Sequence, residues 1–197
     1  MFLLDPQRLT GCCLDNSAAN LRGSPFKDNV KMEQLSFISS NVDPLWCSWF
    51  TGFLDGEGYF QISPQPKSKT AFQICLTITL REDDKYIIEE IKSTLECGRI
   101  YYISYKHERV KGHHACNQWR WTVRDISSIV QIIIPLLDHY PLRTKKAHDY
   151  VIWRKAALIK SSKAHGNCPE IEDLRKQLKV IHQTPFYEMG YSVSNII

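Results

Sequence analysis

The chain has no apolar run near the roughly 18 consecutive residues that a membrane-spanning helix requires. Its opening Met1-Phe2-Leu3-Leu4 breaks at Asp5-Pro6 before a signal-peptide core can develop. These absences point to a soluble protein of a bacterial cytosol or an organelle interior. There is no Cys-x-x-Cys pair: Cys12, Cys13, Cys47, Cys75, Cys97, Cys116 and Cys168 form an odd, scattered set, several of them inside apolar runs. That pattern argues for reduced, mostly buried thiols and against a disulfide framework. His107, His113, His114 and Cys116 lack the paired spacing of a zinc site and read as a solvated hairpin loop. No internal repeat is visible, and residues 1–43 follow neither helical nor strand period, as expected of a poorly ordered extension. Nor is there a large charge excess. With 25 basic and 21 acidic residues, the net charge of +4 is by itself a weak argument for nucleic acid. A 43% hydrophobic share of 197 residues suffices for one domain with tails.

What is present is concentrated in one place. In Trp49-Phe50-Thr51-Gly52-Phe53-Leu54-Asp55-Gly56-Glu57-Gly58-Tyr59-Phe60, two carboxylates stand at the end of an apolar, helix-like run. The helix dipole penalises negative charge there, and that cost suggests function. Leu45, Trp46, Trp49, Phe50, Phe53 and Leu54 recur at helical spacing, and Gly58 is placed to end the helix in a left-handed conformation. Ser48, Gly52 and Gly56 fall four apart, so one face carries little bulk and invites another backbone. If that backbone belongs to a second copy, the acids of two chains meet. The expectation is a two-fold homodimer with Ser48, Trp49, Gly52, Phe53 and Gly56 in its interface. A calcium loop starting at Asp55 is excluded, because the series of oxygen ligands is missing and its twelfth position is Pro66.

Beyond the acids, periods change in a readable order. Tyr59 to about Gln65 alternates, and a Pro/Lys/Ser turn follows from Pro64 to Thr70. The next strand sets Phe72, Ile74, Leu76, Ile78 and Leu80 on one face and Gln73, Cys75, Thr77, Thr79 and Arg81 on the other. Asp83 or Asp84 suits the start of a helix with the stripe Tyr86, Ile87, Ile91 and Leu95, ending at Gly98. A second hairpin runs from Arg99 to Lys106 and back from Cys116 to Arg124. Asp125 caps a helix carrying Ile126, Ile129, Val130, Ile133, Ile134 and Leu137, with Pro135 bending its last turn, and a further helix covers about Thr144 to Ile159. The result is an α+β chain of order αββαββα: a four-stranded antiparallel sheet with helices on one face. The domain is read as residues 44–160, followed by a tail, 161–197, with a short helix.

The other face of such a sheet is wet or covered by a ligand. Gln61, Ser63, Gln65, Lys67, Gln73, Thr77, Thr79, Gln118, Arg120, Thr122 and Arg124 line it with donors and acceptors suited to base edges. An ordinary solvated face is the bland alternative, and the acidic helix end weighs against it. In the third strand the period leaves open whether Arg99, Tyr101 and Ile103 or Tyr102, Ser104 and Lys106 face outward.

The positions Phe50-Thr51-Gly52-Phe53-Leu54-Asp55-Gly56-Glu57-Gly58 resemble the defining motif of the LAGLIDADG homing endonucleases. Leu80-Arg81-Glu82-Asp83-Asp84, Cys97-Gly98-Arg99-Ile100-Tyr101 and Tyr140-Pro141-Leu142-Arg143-Thr144-Lys145-Lys146 look like further landmarks of that family, and the likeness extends from Pro44 to Lys160. The resemblance implies a site-specific double-strand DNA endonuclease of the intron-encoded kind, using Mg²⁺, with Mn²⁺ as a substitute. A single motif implies the homodimeric type. Glu57 matches the metal-binding acid, with the Gly56 carbonyl as a second ligand. Asp55 matches the acid that is mainly structural, with metal contact a lesser role. Among Arg143, Lys145 and Lys146, Lys145 is favoured as the catalytic cation, leaving Arg143 and Lys146 as phosphate contacts. Arg81 stands where the family often has a glutamine that orders water. The resemblance also favours Arg99 and Tyr101 as DNA-facing. The rival implied by the same fold is a noncatalytic protein, an intron-RNA maturase or a DNA-binding regulator.

Overall fold

The computed structural model describes residues 42–65, 71–105, 116–162 and 168–183. Lys67, Lys106, the His107–His114 loop and residues 1–41 of the N-terminal extension lie outside the described residues. Helix α1 (Pro44–Glu57) starts where the Asp43 side chain accepts the Leu45 N–H at 3.0 Å, with proline at the first helical position. It buries Cys47, Phe50, Thr51 and Leu54, a stripe of three- and four-residue spacing. Gly58 does end the helix, but in extended backbone (φ −71°, ψ 147°), not in the left-handed region expected. Its glycine is needed for close approach: a Cβ there falls 2.7 Å from Leu54 Cδ2 and 2.8 Å from the Leu54 carbonyl oxygen, which accepts the Gly58 N–H.

The chain passes directly into β1 (Gly58–Pro64), β2 (Phe72–Arg81), a 3₁₀ turn (Glu82–Asp84) and α2 (Lys85–Leu95). The buried stripe of α2 is Ile88, Ile91 and Leu95, whereas Tyr86, assigned to it above, is 62% exposed. Glu96, at φ 50°, ends this helix. Gly98, at φ 78°, lies against Trp121, whose indole N–H donates to the Cys97 carbonyl at 3.0 Å. Strands β3 (Arg99–Ile103) and β4 (Gln118–Val123) complete an antiparallel sheet of order β1-β2-β4-β3.

Asp125 then caps α3 (Ile126–Ser128), accepting from both the N–H and the hydroxyl of Ser128 at 2.8 Å. Those bonds hold its carboxyl below the usual carboxylate range. A π-helical turn (Ile129–Ile133) leads into α4 (Ile134–His139). Pro135 donates no N–H and its ring crowds the carbonyl four residues back, so the irregularity falls in the middle of the segment and not in its last turn. Helix α5 (Lys146–Ser162) crosses behind the sheet, where Trp153 donates to the Cys75 carbonyl at 3.0 Å and Lys160 to that of Phe72.

Phe60, Ile74, Leu76, Ile78, Trp121 and Val123 meet Phe50, Leu54, Ile88, Ile91, Ile129, Ile133 and Trp153 in one core between sheet and helices. Each fully buried aliphatic or phenylalanine side chain contributes about 1.5–3 kcal/mol. The core does not stop at residue 160. Helix α6 (Pro169–Gln183), fifteen residues long, packs Ile171, Leu174 and Leu178 into it alongside α5. Among the described residues no helix is long and apolar enough to cross a membrane.

Candidate active site

The two acids of the α1 end are used differently. Both oxygens of Asp55 are engaged: Oδ2 accepts the Arg143 N–H at 2.8 Å, and Oδ1 accepts the Thr144 N–H at 3.2 Å and the Thr144 hydroxyl at 2.7 Å. The Thr144 hydroxyl in turn accepts the Lys146 N–H at 3.3 Å, capping α5. Asp55 therefore carries its charge at the closing end of one helix and just before the opening end of another, where the dipole favours it. Its place in the fold is to dock α5 on α1. Glu57 is the opposite case. It is exposed, and among the described residues its carboxylate makes no hydrogen bond or ion pair.

Lys146 lies beside it, donating its ammonium to the Gly56 carbonyl at 2.5 Å. Burial draws the Lys146 pKa below the ordinary lysine value, and the carboxylates of Glu57, Asp55 and Asp149 oppose that shift. The lysine favoured above, Lys145, is not the one on this carbonyl; its charge bears on Asp149. Arg143 supplies its backbone N–H to Asp55 and leaves its guanidinium on the exposed side. Arg81 pairs with Asp83 at 3.3 Å and is not brought to Glu57. It sits three residues past Ile78, the partner of Gly58, or about 10 Å along β2.

The Gly56 carbonyl, counted above as a metal ligand, accepts from Lys146 with one of its two lone pairs. Among the described residues no group of three or more His, Cys, Asp and Glu side chains is arranged to hold a metal ion. An uncommitted carboxylate does suit an ion that takes one or two protein oxygens and completes its shell with phosphate and water, which is the habit of Mg²⁺.

The sheet face begins at this helix end. Register puts Tyr59, Thr77, Thr122 and Arg99 in one row and Thr79, Arg120 and Tyr101 in the next. The third-strand choice is thereby resolved in favour of Arg99 and Tyr101. Gln61, Ser63, Gln73 and Gln118 share the face by the same register, with Gln65 just past the end of β1 and Arg124 just past β4. Many of these groups bond one another. Arg120 Nε donates to Thr79 at 3.1 Å, Cys75 to Gln61 at 3.3 Å, and the Arg124 guanidinium lies 5.7 Å from the Tyr101 ring centre. Thr122 differs from the expectation of a DNA-facing group: it is only 2% exposed, with its hydroxyl 3.2 Å from that of Thr77. Tyr59, 50% exposed, also stands on this face, where the alternation of its strand puts it.

On the outside of α1, a Cβ added at Gly52 or Gly56 meets nothing within 4 Å. Neither glycine is demanded by packing among the described residues. Beside them lie exposed Ser48, Trp49, stacked on Phe53 at 5.3 Å, and Leu45, 78% exposed.

Residues 50–157, more than half of the chain, match the model of the LAGLIDADG endonuclease family, and the chain belongs to that family. It is 29% identical over 148 residues to a probable intron-encoded endonuclease 3 of Neurospora crassa, covering 72% of this chain and 25% of that protein. It is 30% identical over 139 residues to the probable intron-encoded endonuclease Cox1-I1b of Schizosaccharomyces pombe, covering 66% and 33%. Among solved structures it resembles the meganuclease I-SmaMI bound to uncleaveable DNA, with TM-score 0.54, 28% identity and coverage of 68% of this chain and 43% of that one. It also resembles the I-LtrWI LAGLIDADG homing endonuclease bound to target DNA, with TM-score 0.55, 26% identity and coverage of 75% and 45%. The chain thus spans a quarter to a third of those curated relatives and less than half of the solved chains. The αββαββα fold is the one these endonucleases share.

Proposed function

We propose that this chain is a site-specific double-strand DNA endonuclease that works as a pair of copies. The observation that carries this reading is the contrast at the α1 end: Asp55 bonded through both oxygens, Glu57 without a hydrogen bond among the described residues, Lys146 beside it, and a sheet face rich in donors leading away. Two-fold pairing along the open Gly52/Gly56 stripe brings two such ends together, one for each strand of the duplex.

In this reading the sheet lies in the major groove, where Arg120, Gln73, Gln61 and Gln118 address base edges and Arg143 grips phosphate. Glu57 is the residue that would hold a divalent ion, with the second lone pair of the Gly56 carbonyl beside it while Lys146 keeps the first. Bound Mg²⁺, or Mn²⁺ in its place, supplies charge relief at the phosphate and an activated water. The Lys146 ammonium, beside Glu57, would offset negative charge developing on the phosphate oxygens, and Asp55 keeps the α5 start in place.

The test is selection of cleaved sites from a random or genomic DNA library with Mg²⁺. The expected outcome is one enriched site of two-fold symmetric character, cut on both strands and not cut after chelation. Tight binding of intron RNA with no DNA cleavage under any divalent metal would replace this reading with the maturase one.

A further inference from the structure

Helix α6 lies outside residues 50–157, yet its last turn returns to the candidate active site. His182 Nε2 is 3.2 Å from Oδ2 of Asp149, and its ring packs on Tyr59 with centroids 5.5 Å apart. Asp149 stands one helical turn beyond Lys146 on α5, and Tyr59 stands two residues beyond Glu57. One ring therefore touches both segments that carry the acid and the lysine.

Asp149 is an unusual residue to bury. It is 6% exposed, and its Oδ1 is buried with no hydrogen-bond partner among the described residues. A buried carboxylate with an idle oxygen is costly unless nearby positive charge offsets it. The groups whose charge bears on it are His182, Lys145 and Lys146. Ile171, Leu174 and Leu178 fix α6 in the core, so the position of His182 is set by packing and not by its contact with Asp149 alone.

We propose that His182 is a positioning residue of the cutting site, holding Asp149 behind Lys146 and Tyr59 at the start of β1, so that Lys146 stays on the Gly56 carbonyl in register with Glu57. This rests on the endonuclease reading for its consequence but not for its geometry. On that view α6 is a strut of the active site and not an appended tail.

The test uses the full chain in three variants. His182→Leu keeps bulk against Tyr59 but cannot donate to Asp149, His182→Gln keeps a donor, and Asp149→Asn keeps shape and removes charge. With a selected target, His182→Leu should slow single-turnover cleavage about 10–100-fold, the usual cost of losing a group that orients a site residue, with DNA affinity unchanged. His182→Gln should recover most of the rate. Independently of cleavage, Lys146 should be acylated faster by an amine-reactive anhydride in His182→Leu than in wild type, with Lys155 as internal reference and mass spectrometry as readout. Should His182→Leu not fold, Asp149→Asn is read the same way.

Unchanged Lys146 acylation, or rate and affinity falling together with no recovery in His182→Gln, would overturn the proposal. A wild-type protein that cuts nothing would remove the endonuclease reading, and the acylation comparison would then decide the positioning role alone.

Discussion

The α1 end and the sheet face carry similar residue types and spend them differently. On the sheet, polar groups are tied sideways: Arg120 to Thr79, Thr77 to Thr122, Cys75 to Gln61. At the helix end, one acid is tied by three bonds while its neighbour two residues on makes no hydrogen bond among the described residues. The lesson is about preparation. A face that reads a groove benefits from side chains held in place before contact, because their ordering is not charged against binding. A site that acts on a phosphate needs at least one carboxylate without an internal partner, since a satisfied one has little to offer an incoming ion.

The contrast can be broken most severely at the lysines. Lys146→Ala should cut single-turnover cleavage by about 10²–10³, as for loss of a donor aimed at developing charge. Lys145→Ala should act far more weakly on the chemical step and mainly flatten the salt dependence of binding. Equal rate losses in the two variants would erase the distinction drawn from the Gly56 contact.

Assembly comes next. Gly52→Leu puts a branched side chain on the open stripe, where an added Cβ meets nothing within 4 Å among the described residues. It should turn a dimer into a folded monomer in sedimentation velocity. A variant that remains dimeric would place the pairing surface elsewhere.

Gly58→Ala probes the junction between the two regions. The added methyl meets the Leu54 carbonyl at 2.8 Å, and the expected loss is about 1–3 kcal/mol in denaturant unfolding. A loss near zero would mean that the junction relaxes freely.

The smallest effects are on the sheet, and they sharpen the comparison most finely. Arg120→Ala should change preference at particular base pairs by about 1–3 kcal/mol. Thr122→Ala, buried under the same face, should leave base preference unaltered in the same selection and show itself in stability alone. Sequence-independent losses for Arg120→Ala would show that this face is not the reader.

Much of this was legible in the residues, and the failures have physical causes. Period two in Phe72–Arg81 identified the central strand and its faces, because a sheet covered on one side enforces alternation. Arg99 and Tyr101 could not be placed by period, since β3 is an edge strand with little burial on either side to distinguish them. Thr122 has the polarity of a surface residue, and only the register beside Thr77 and Arg99 shows it covered. Gly58 was read as a left-handed cap because sequence alone does not separate a glycine chosen for φ from one chosen for closeness to Leu54. The choice between Lys145 and Lys146 turns on where the first turn of α5 begins. Boundaries of this kind shift by a residue or two, and a shift of one residue turns a side chain by 100° about the helix axis.

The most direct test sets the two neighbouring acids against each other in one assay. Purified wild type, Glu57→Gln and Asp55→Asn are incubated with a selected target and Mg²⁺, with dimer content, DNA affinity and cleavage of each strand measured on the same preparations. The account expects Glu57→Gln to keep the dimer and the affinity while cutting neither strand, and Asp55→Asn to lose stability and assembly as α5 comes away from α1. Equal cutting by Glu57→Gln and wild type, or a stable Asp55→Asn dimer that has lost only its cleavage, would contradict the division of labour at the helix end.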